Sequence, residues 1–343
     1  MGAMSLKMSG SDYGSEYGSA QHAHRYERVA RLIPLAEWDA HYELVASIEA
    51  LKRKRNAVVL AHNYQRPEIF HGVADVQGDS LALARWAADS DADVIVMCGV
   101  HFMAETAKLL APDRIVLLPD AEAGCSLADS ITAEDVQVLR ACHPGVPVVC
   151  YVNTSAAVKA ASDICCTSAN AVQVVESLGV PEVIFVPDEY LAAYVAGQTS
   201  VRILSWRGRC EVHERFTGEE VREYQRLTRA FVLAHPECPQ DVQQAADYVG
   251  STSGMIDALQ RHRPARAVLI TECSMADNVC GAFPETEFVR PCNLCPHMQR
   301  ITLRNIHDCL ETLTPRIEVP QTVGIDARKT VQRMLDLGAA RRA

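Results

Sequence analysis

The 343-residue chain has no apolar run approaching the length of a membrane span and no basic-then-apolar leader at its start. It also has no excess of positive charge. Lys and Arg number 33 against 43 Asp and Glu, a formal net charge of −10, whereas a nucleic-acid binder needs a basic face. Neither membrane nor nucleic acid is expected as a partner, and a cytoplasmic location is. Small anionic substrates stay open, because a pocket sets its own local potential. A second Cys-x-x-Cys pair is missing too: Cys292 and Cys295 form one, with no partner pair of the kind that structural zinc prefers.

What the chain does have is apolar mass and thiols. With 48% hydrophobic residues it can bury a large core spread over two or three domains. In a reducing compartment its 13 cysteines read as core thiols, metal ligands or catalytic groups rather than a disulfide framework. Cys98, Cys150, Cys165 and Cys166 lie in or beside apolar runs and are expected in the core. Residues 1–25, rich in Gly, Ser and Tyr without periodicity, are expected to be a disordered arm.

Three sets of short Val/Ile/Leu-rich runs recur. The first is Ala57–Ala61, Pro147–Val152 and Ala230–Ala234; the second is Asp93–Met97, Glu182–Val186 and Ala267–Ile270. The third, Ile115–Leu118, Val201–Leu204 and Phe288–Val289, precedes Cys125, Cys210 and Cys295, which stand 85 residues apart. Runs that do not alternate polar with apolar suit strands of a parallel sheet covered on both faces. Helical patterns separate them, with starts at Gly78-Asp79-Ser80, Thr167-Ser168 and Gly250-Ser251-Thr252, residue types that cap helices and leave backbone N–H groups free for an anion. The order predicts an α/β protein of three homologous αβα three-layer, parallel-sheet domains around a pseudo-threefold axis, at 38–128, 129–214 and 215–298. A C-terminal tail, 299–343, packs back on them. The carboxyl ends of the strands, where such sheets bind ligands, would gather the polar run ends, the helix starts and one cysteine from each unit.

Three single, widely spaced thiolates can hold zinc or three irons of a 4Fe–4S cluster, and soft ligands of this kind suit the cluster better. His213, three residues after Cys210, is either a nitrogen ligand or a donor to substrate.

Several motifs occur in order over residues 38–340: Ala61-His62-Asn63-Tyr64-Gln65, Gly78-Asp79-Ser80-Leu81, Cys98-Gly99-Val100-His101-Phe102-Met103-Ala104-Glu105, Gly124-Cys125, Tyr151-Val152-Asn153-Thr154, Cys166-Thr167-Ser168-Ala169-Asn170, His235-Pro236-Glu237-Cys238-Pro239 and Tyr248-Val249-Gly250-Ser251-Thr252. Together they resemble the quinolinate synthase family of bacterial de novo NAD synthesis. The resemblance implies three αβα domains and one 4Fe–4S cluster on Cys125, Cys210 and Cys295. It implies condensation of iminoaspartate with dihydroxyacetone phosphate, with loss of phosphate and two waters, and raises hand-over of iminoaspartate from L-aspartate oxidase. On matching positions it points to His62, Ser80, Tyr151, Asn153, Ser168, His235, Glu237, Ser251 and Thr252 for substrate binding. Glu237 is then the expected base, with a pKa raised by its closed pocket unless nearby cations oppose the shift, and Tyr64, Tyr151 and His62 complete the catalytic set. Some relatives carry further cysteines beside the last ligand, so a reversible Cys292–Cys295 disulfide is a further expectation. Another iron–sulfur hydro-lyase, a non-catalytic iron–sulfur sensor or carrier, and a zinc structural protein are the competing readings.

Overall fold

A computed structural model describes residues 29–339 together with 23, 24, 26 and 27. The arm expected over 1–25 thus lies outside the described residues, except for 23 and 24, which are helical. Twelve strands form three all-parallel sheets of four. The first contains β1 (Ala57–His62), β2 (Val76–Gly78), β3 (Val94–Cys98) and β4 (Ile115–Leu117). The second contains β5 (Val148–Tyr151), β6 (Ile164–Cys166), β7 (Glu182–Val186) and β8 (Arg202–Ser205). The third contains β9 (Phe231–Ala234), β10 (Tyr248–Val249), β11 (Arg266–Ile270) and β12 (Glu287–Val289). Each sheet has the order second-first-third-fourth, so every connection is a crossover that passes through a helix and the chain reverses its direction across the sheet once within each unit.

β1, β3, β5 and β7 are buried almost throughout, which explains their unbroken Val/Ile/Leu composition. The sequence predicts nine strands. The three that it misses, β2, β6 and β10, are edge strands of two or three residues. Val76–Gly78 and Tyr248–Val249 are only partly buried and carry little apolar signature, and Ile164–Cys166, though buried, has a single Val/Ile/Leu residue. Cys98, Cys150, Cys165 and Cys166 are fully buried in the core that joins the first two sheets, while the third unit has its own clusters around Val232, Val268, Leu233 and Leu269.

The 85-residue interval extends to helix capping. Thr132, Thr217 and Thr302 each accept a backbone hydrogen bond from the third residue of the helix that follows. Asp135, Glu220 and Asn305 reach back in turn to complete capping boxes. The helix so opened at Leu303–Thr312 is therefore the fourth copy of a unit-opening helix. It packs against Leu35–Arg55, the helix that precedes β1, and so closes the ring of units. The last helix, Gln321–Ala339, covers Ala156–Ala161 and His101–Leu110.

Candidate active site

Strand register brings the polar run ends into correspondence. His62 lies opposite Gly78, Tyr151 opposite Cys166, and Ala234 opposite Val249, one residue before His235 and Gly250. His62, Tyr151 and His235 are thus equivalent positions, as are Tyr64, Asn153 and Glu237 two residues on. Ser80, Ser168 and Thr252 correspond on the adjoining helix starts. All nine line one cavity, together with Cys125, Cys210 and Cys295. Ser251 is not among the lining residues; it caps Thr252–His262 by accepting from the Gly254 N–H at 3.1 Å. The second unit departs from the capping pattern, since the helix at Ala171 follows Asn170, whose Oδ1 turns back to the Thr167 N–H at 2.7 Å instead of capping forward. Fully buried Lys159 braces the loop behind Tyr151, donating to the Val152 carbonyl at 2.8 Å and to that of Thr154.

The two histidines are held alike. His62 Nδ1 accepts from the Tyr64 N–H at 3.2 Å and His235 Nδ1 from the Glu237 N–H at 3.3 Å. Burial pushes His62 down to about 4 and His235 to about 3, against the opposing pull of Glu237 on both. Each is therefore a neutral ring at pH 7 with its Nδ1 occupied, so the hydrogen sits on Nε2. For His235 that donor faces Ser168 Oγ at 3.3 Å.

Glu237 accepts from Tyr151 OH at 2.6 Å on Oε1, and its Oε2 lies 2.9 Å from His213 Nδ1. Burial alone would raise its carboxyl, but His235, His213 and the Tyr151 hydrogen bond outweigh burial and bring it to about 2. The raised pKa expected for a closed pocket does not occur, because two donors converge on the carboxylate. Tyr64 and Tyr151 are pushed well above 10, chiefly by burial, and keep their protons.

The three cysteines sit in equivalent cradles. The Asp129, Glu214 and Gln299 N–H groups bond back to the Cys125, Cys210 and Cys295 carbonyls at 3.0, 3.0 and 3.1 Å. In each turn the backbone N–H groups two and three residues on face the sulfur: Leu127 and Ala128, Val212 and His213, His297 and Met298. Burial raises Cys125 to about 12, Cys295 to about 11 and Cys210 well above its usual value. Thiols kept protonated in a dry site, yet each offered two N–H donors, are matched to a cation that would stabilise the thiolates. This donor set fits a cluster held by one cysteine from each unit. His213 lies beside this donor set: Nδ1 is 2.9 Å from Glu237 Oε2 and 3.2 Å from Cys210 Sγ, three buried or half-buried groups close enough to share a metal ion, and Nε2 lies 2.9 Å from Thr271 Oγ1. Cys292 does not reach Cys295. It pairs with Cys273, with Cα atoms 4.9 Å apart, the one disulfide among the described residues.

Polar contacts join the units around the cavity. Asn63 Nδ2 donates to Thr252 Oγ1 at 2.9 Å, Asn278 Nδ2 donates to the Asn63 and Gln65 carbonyls at 2.9 and 2.7 Å, and Ser253 meets Asp79. At the rim, His297 Nε2 lies 2.9 Å from Glu211 Oε1, and Arg300 spans to Asp120 and Glu122. The sequence reading missed Thr271, Glu272 and His297. The first two follow a second-set run directly, and their only signal was a polar pair where the other two units have Gly99-Val100 and Pro187-Asp188.

Fold and site define a triplicated α/β protein with a small-molecule cavity built over a three-thiol centre. The sequence model of the quinolinate synthetase A protein family matches residues 46–336. The chain is 63% identical over 313 residues to a quinolinate synthase of Agrobacterium fabrum, covering 91% of both chains. It is 62% identical to quinolinate synthase 1 of Mesorhizobium japonicum, over 90% of this chain and 96% of the relative. With a quinolinate synthase of Xylella fastidiosa (strain Temecula1) it shares 61% over 85% and 86%. The chain belongs to the quinolinate synthetase A family. Among the described residues, no helix is long and apolar enough to cross a membrane.

Proposed function

We propose that the chain condenses iminoaspartate with dihydroxyacetone phosphate to quinolinate, releasing phosphate and two waters, as a 4Fe–4S-dependent transferase of de novo NAD synthesis. The observation that carries this reading is the convergence of three equivalent strand ends on one cavity, above three equivalent cysteine cradles. A sensor or carrier of electrons needs the cradles but not nine polar groups facing a cavity. Cys125, Cys210 and Cys295 would hold the cluster, which would supply Lewis acidity that favours loss of water.

The remaining work falls to the chain's own groups. The Nε2–H groups of His62 and His235, the hydroxyls of Ser80, Ser168 and Thr252, and the Asn153 amide are donors for two substrate carboxylates and a phosphate. Glu237, ionised at neutral pH, accepts protons released as carbon–carbon and carbon–nitrogen bonds form, with Tyr151 as the relay at Oε1. Its low pKa makes it a weak base, so proton uptake there requires the tight Tyr151 and His213 contacts to rearrange. Tyr64 and Tyr151, protonated well past pH 7, supply hydrogens to departing oxygens.

Anaerobic purification followed by iron, sulfide and product analysis tests the reading. Close to four irons and four sulfides per chain are expected for the proposed cluster, with quinolinate formed only when both substrates are present. Zinc in place of iron, or turnover of another hydroxy acid alone, would refute it.

A further inference from the structure

Behind the cavity wall the three units share one contact. In each, a single side-chain nitrogen donates to the two backbone carbonyls that flank a cavity residue. Lys159 Nζ donates to the Val152 carbonyl at 2.8 Å and to that of Thr154, on either side of Asn153. Gln243 Nε2 donates to the Pro236 and Cys238 carbonyls at 2.9 and 2.8 Å, on either side of Glu237. Asn278 Nδ2 donates to the Asn63 and Gln65 carbonyls, on either side of Tyr64.

Lys159 and Gln243 hold equivalent positions, eight residues after Tyr151 and His235, on the short helices Ala156–Ala161 and Gln240–Ala245. The first unit has Phe70 at that position, with no side-chain hydrogen to donate. Asn278 supplies the contact from the third unit's helix Ser274–Cys280. The same contact is thus made twice from one position and once from another unit. It follows what the cavity residue needs and not only the ancestry of the repeat.

All six carbonyls belong to buried residues, where a carbonyl without a donor is costly. Two carbonyl oxygens drawn to one point repel unless separate hydrogens hold them; an amide has two to give and an ammonium three. Holding both fixes the backbone of the residue between them. The second unit depends on this most, because Tyr151 has no ring nitrogen of the kind that His62 and His235 offer to the Tyr64 and Glu237 N–H groups. There the Thr154 N–H also returns to the Val152 carbonyl at 2.8 Å, a γ-turn with Asn153 at its apex. Among the described residues no carboxylate pairs with Lys159, whereas Lys52, the other buried lysine, meets Glu49 and Asp75 at 2.7 Å each. The Lys159 ammonium serves the loop.

We infer that Lys159, Gln243 and Asn278 are positioning residues for the reaction: each clamps the backbone at one cavity residue and so sets where Asn153, Glu237 and Tyr64 point. None of the three lines the cavity, and each acts through the residue that it clamps. The inference rests on the proposed reaction, in which Asn153 binds substrate and Glu237 takes up protons.

The test uses the cluster-loaded enzyme with iron and sulfide measured in every preparation. Lys159→Met and Gln243→Met keep an apolar stem and remove the hydrogens. Lys159→Met is expected to raise KM about fivefold with kcat within about twofold, as loss of a binding donor does. Gln243→Met is expected to lower kcat about tenfold with KM within about twofold, because it displaces the base. Lys159→Gln installs the third unit's clamp at the equivalent position and should stay within about threefold of wild type, since its amide has two hydrogens to give. In the Asn153→Ala background Lys159→Met should cost less than about twofold more, and so should Gln243→Met in the Glu237→Gln background. Crystal structures of the two Met variants read placement without turnover and are expected to show the Asn153 or Glu237 side chain displaced.

Unmoved side chains in those structures, or equal further losses in the two backgrounds, would overturn the inference. So would a loss of fold or iron in Lys159→Met that Lys159→Gln shares, because the second clamp then fails to replace the first. Wild-type enzyme that forms no quinolinate refutes the proposed function instead, and the variant structures then still decide whether the clamps place these side chains.

Discussion

The ends of the first strands and the ends of the second strands tell different stories. After β1, β5 and β9 the polar positions repeat: His62, Tyr151 and His235, then Tyr64, Asn153 and Glu237, all on the cavity. After β3, β7 and β11 less repeats: Gly99, Pro187 and Thr271 share neither size nor polarity, and Val100 stands where the other two units have the buried carboxyl groups of Asp188 and Glu272. The first set supplies a donor at every position but Glu237, whose carboxylate accepts, and such a ring suits a substrate bearing several anionic groups. The second set makes the ring directional, because of these positions only Val100 and Glu272 line the cavity, one apolar and the other a carboxyl group. An ancestral threefold frame binds; departures from threefold symmetry tell the three sides of the pocket apart.

The cysteines test the symmetric half most severely. Cys125→Ala, Cys210→Ala and Cys295→Ala should each lose the cluster and lower turnover by at least about a thousandfold if the metal provides several kcal/mol of barrier lowering. Iron analysis and product formation check this. Full iron retention in any one of them would break the equivalence of the three cradles. Glu237→Gln probes the asymmetric half and should cost about 10²- to 10⁴-fold in kcat, the range of a general acid–base group. Near-normal turnover would remove Glu237 from the base role and leave it as an anchor for Tyr151 and His213.

The same contrast explains what was legible in the sequence. Nine strands showed as apolar runs because burial on both faces demands such composition, and the spaced cysteines stood out once those runs were aligned. The edge strands β2 and β10 escaped because they are only partly buried, and β6 because two of its three buried residues are cysteines and not Val, Ile or Leu. The second-strand ends escaped for another reason: comparison among units finds what repeats in all three, and neither Thr271 nor Glu272 does. Cys273 and Cys292 were missed as a pair because 19 residues of chain separate them. Proximity in sequence favoured Cys295, whose sulfur instead turns toward the His297 and Met298 N–H groups.

Acid stability sharpens the parallel between His62 and His235. A ring held at about 4 that returns to about 6.5 on unfolding takes up a proton only in the unfolded chain as pH falls through that window. Its contribution is complete above pH 6.5 and is lost on acidification. For His62 the loss between pH 7.5 and 5 amounts to about 2 kcal/mol. His62→Gln lacks that linkage, so its stability deficit relative to wild type should shrink by about this amount over the interval, read by urea unfolding at both pH values. Comparison with its own wild type cancels the opposite contribution of Glu272, which burial raises to about 7. A deficit independent of pH would mean that His62 is not the neutral ring that its Nδ1 contact requires.

The smallest effects belong to the helix-start hydroxyls, and their differences are the finest test of the threefold frame. Ser80→Ala, Ser168→Ala and Thr252→Val each remove one donor, worth about 1 kcal/mol or roughly fivefold in KM if it reaches substrate in ground and transition state alike. Thr252 also accepts from the Asn63 amide, and Ser168 faces His235. Thr252→Val should therefore exceed the other two, since it leaves a buried amide hydrogen unpaired as well. Equal losses at Ser80 and Ser168 would show that substrate is gripped on two sides by equivalent hydroxyls. A loss at one alone would place the phosphate or a carboxylate on that side and make the frame symmetric in shape only.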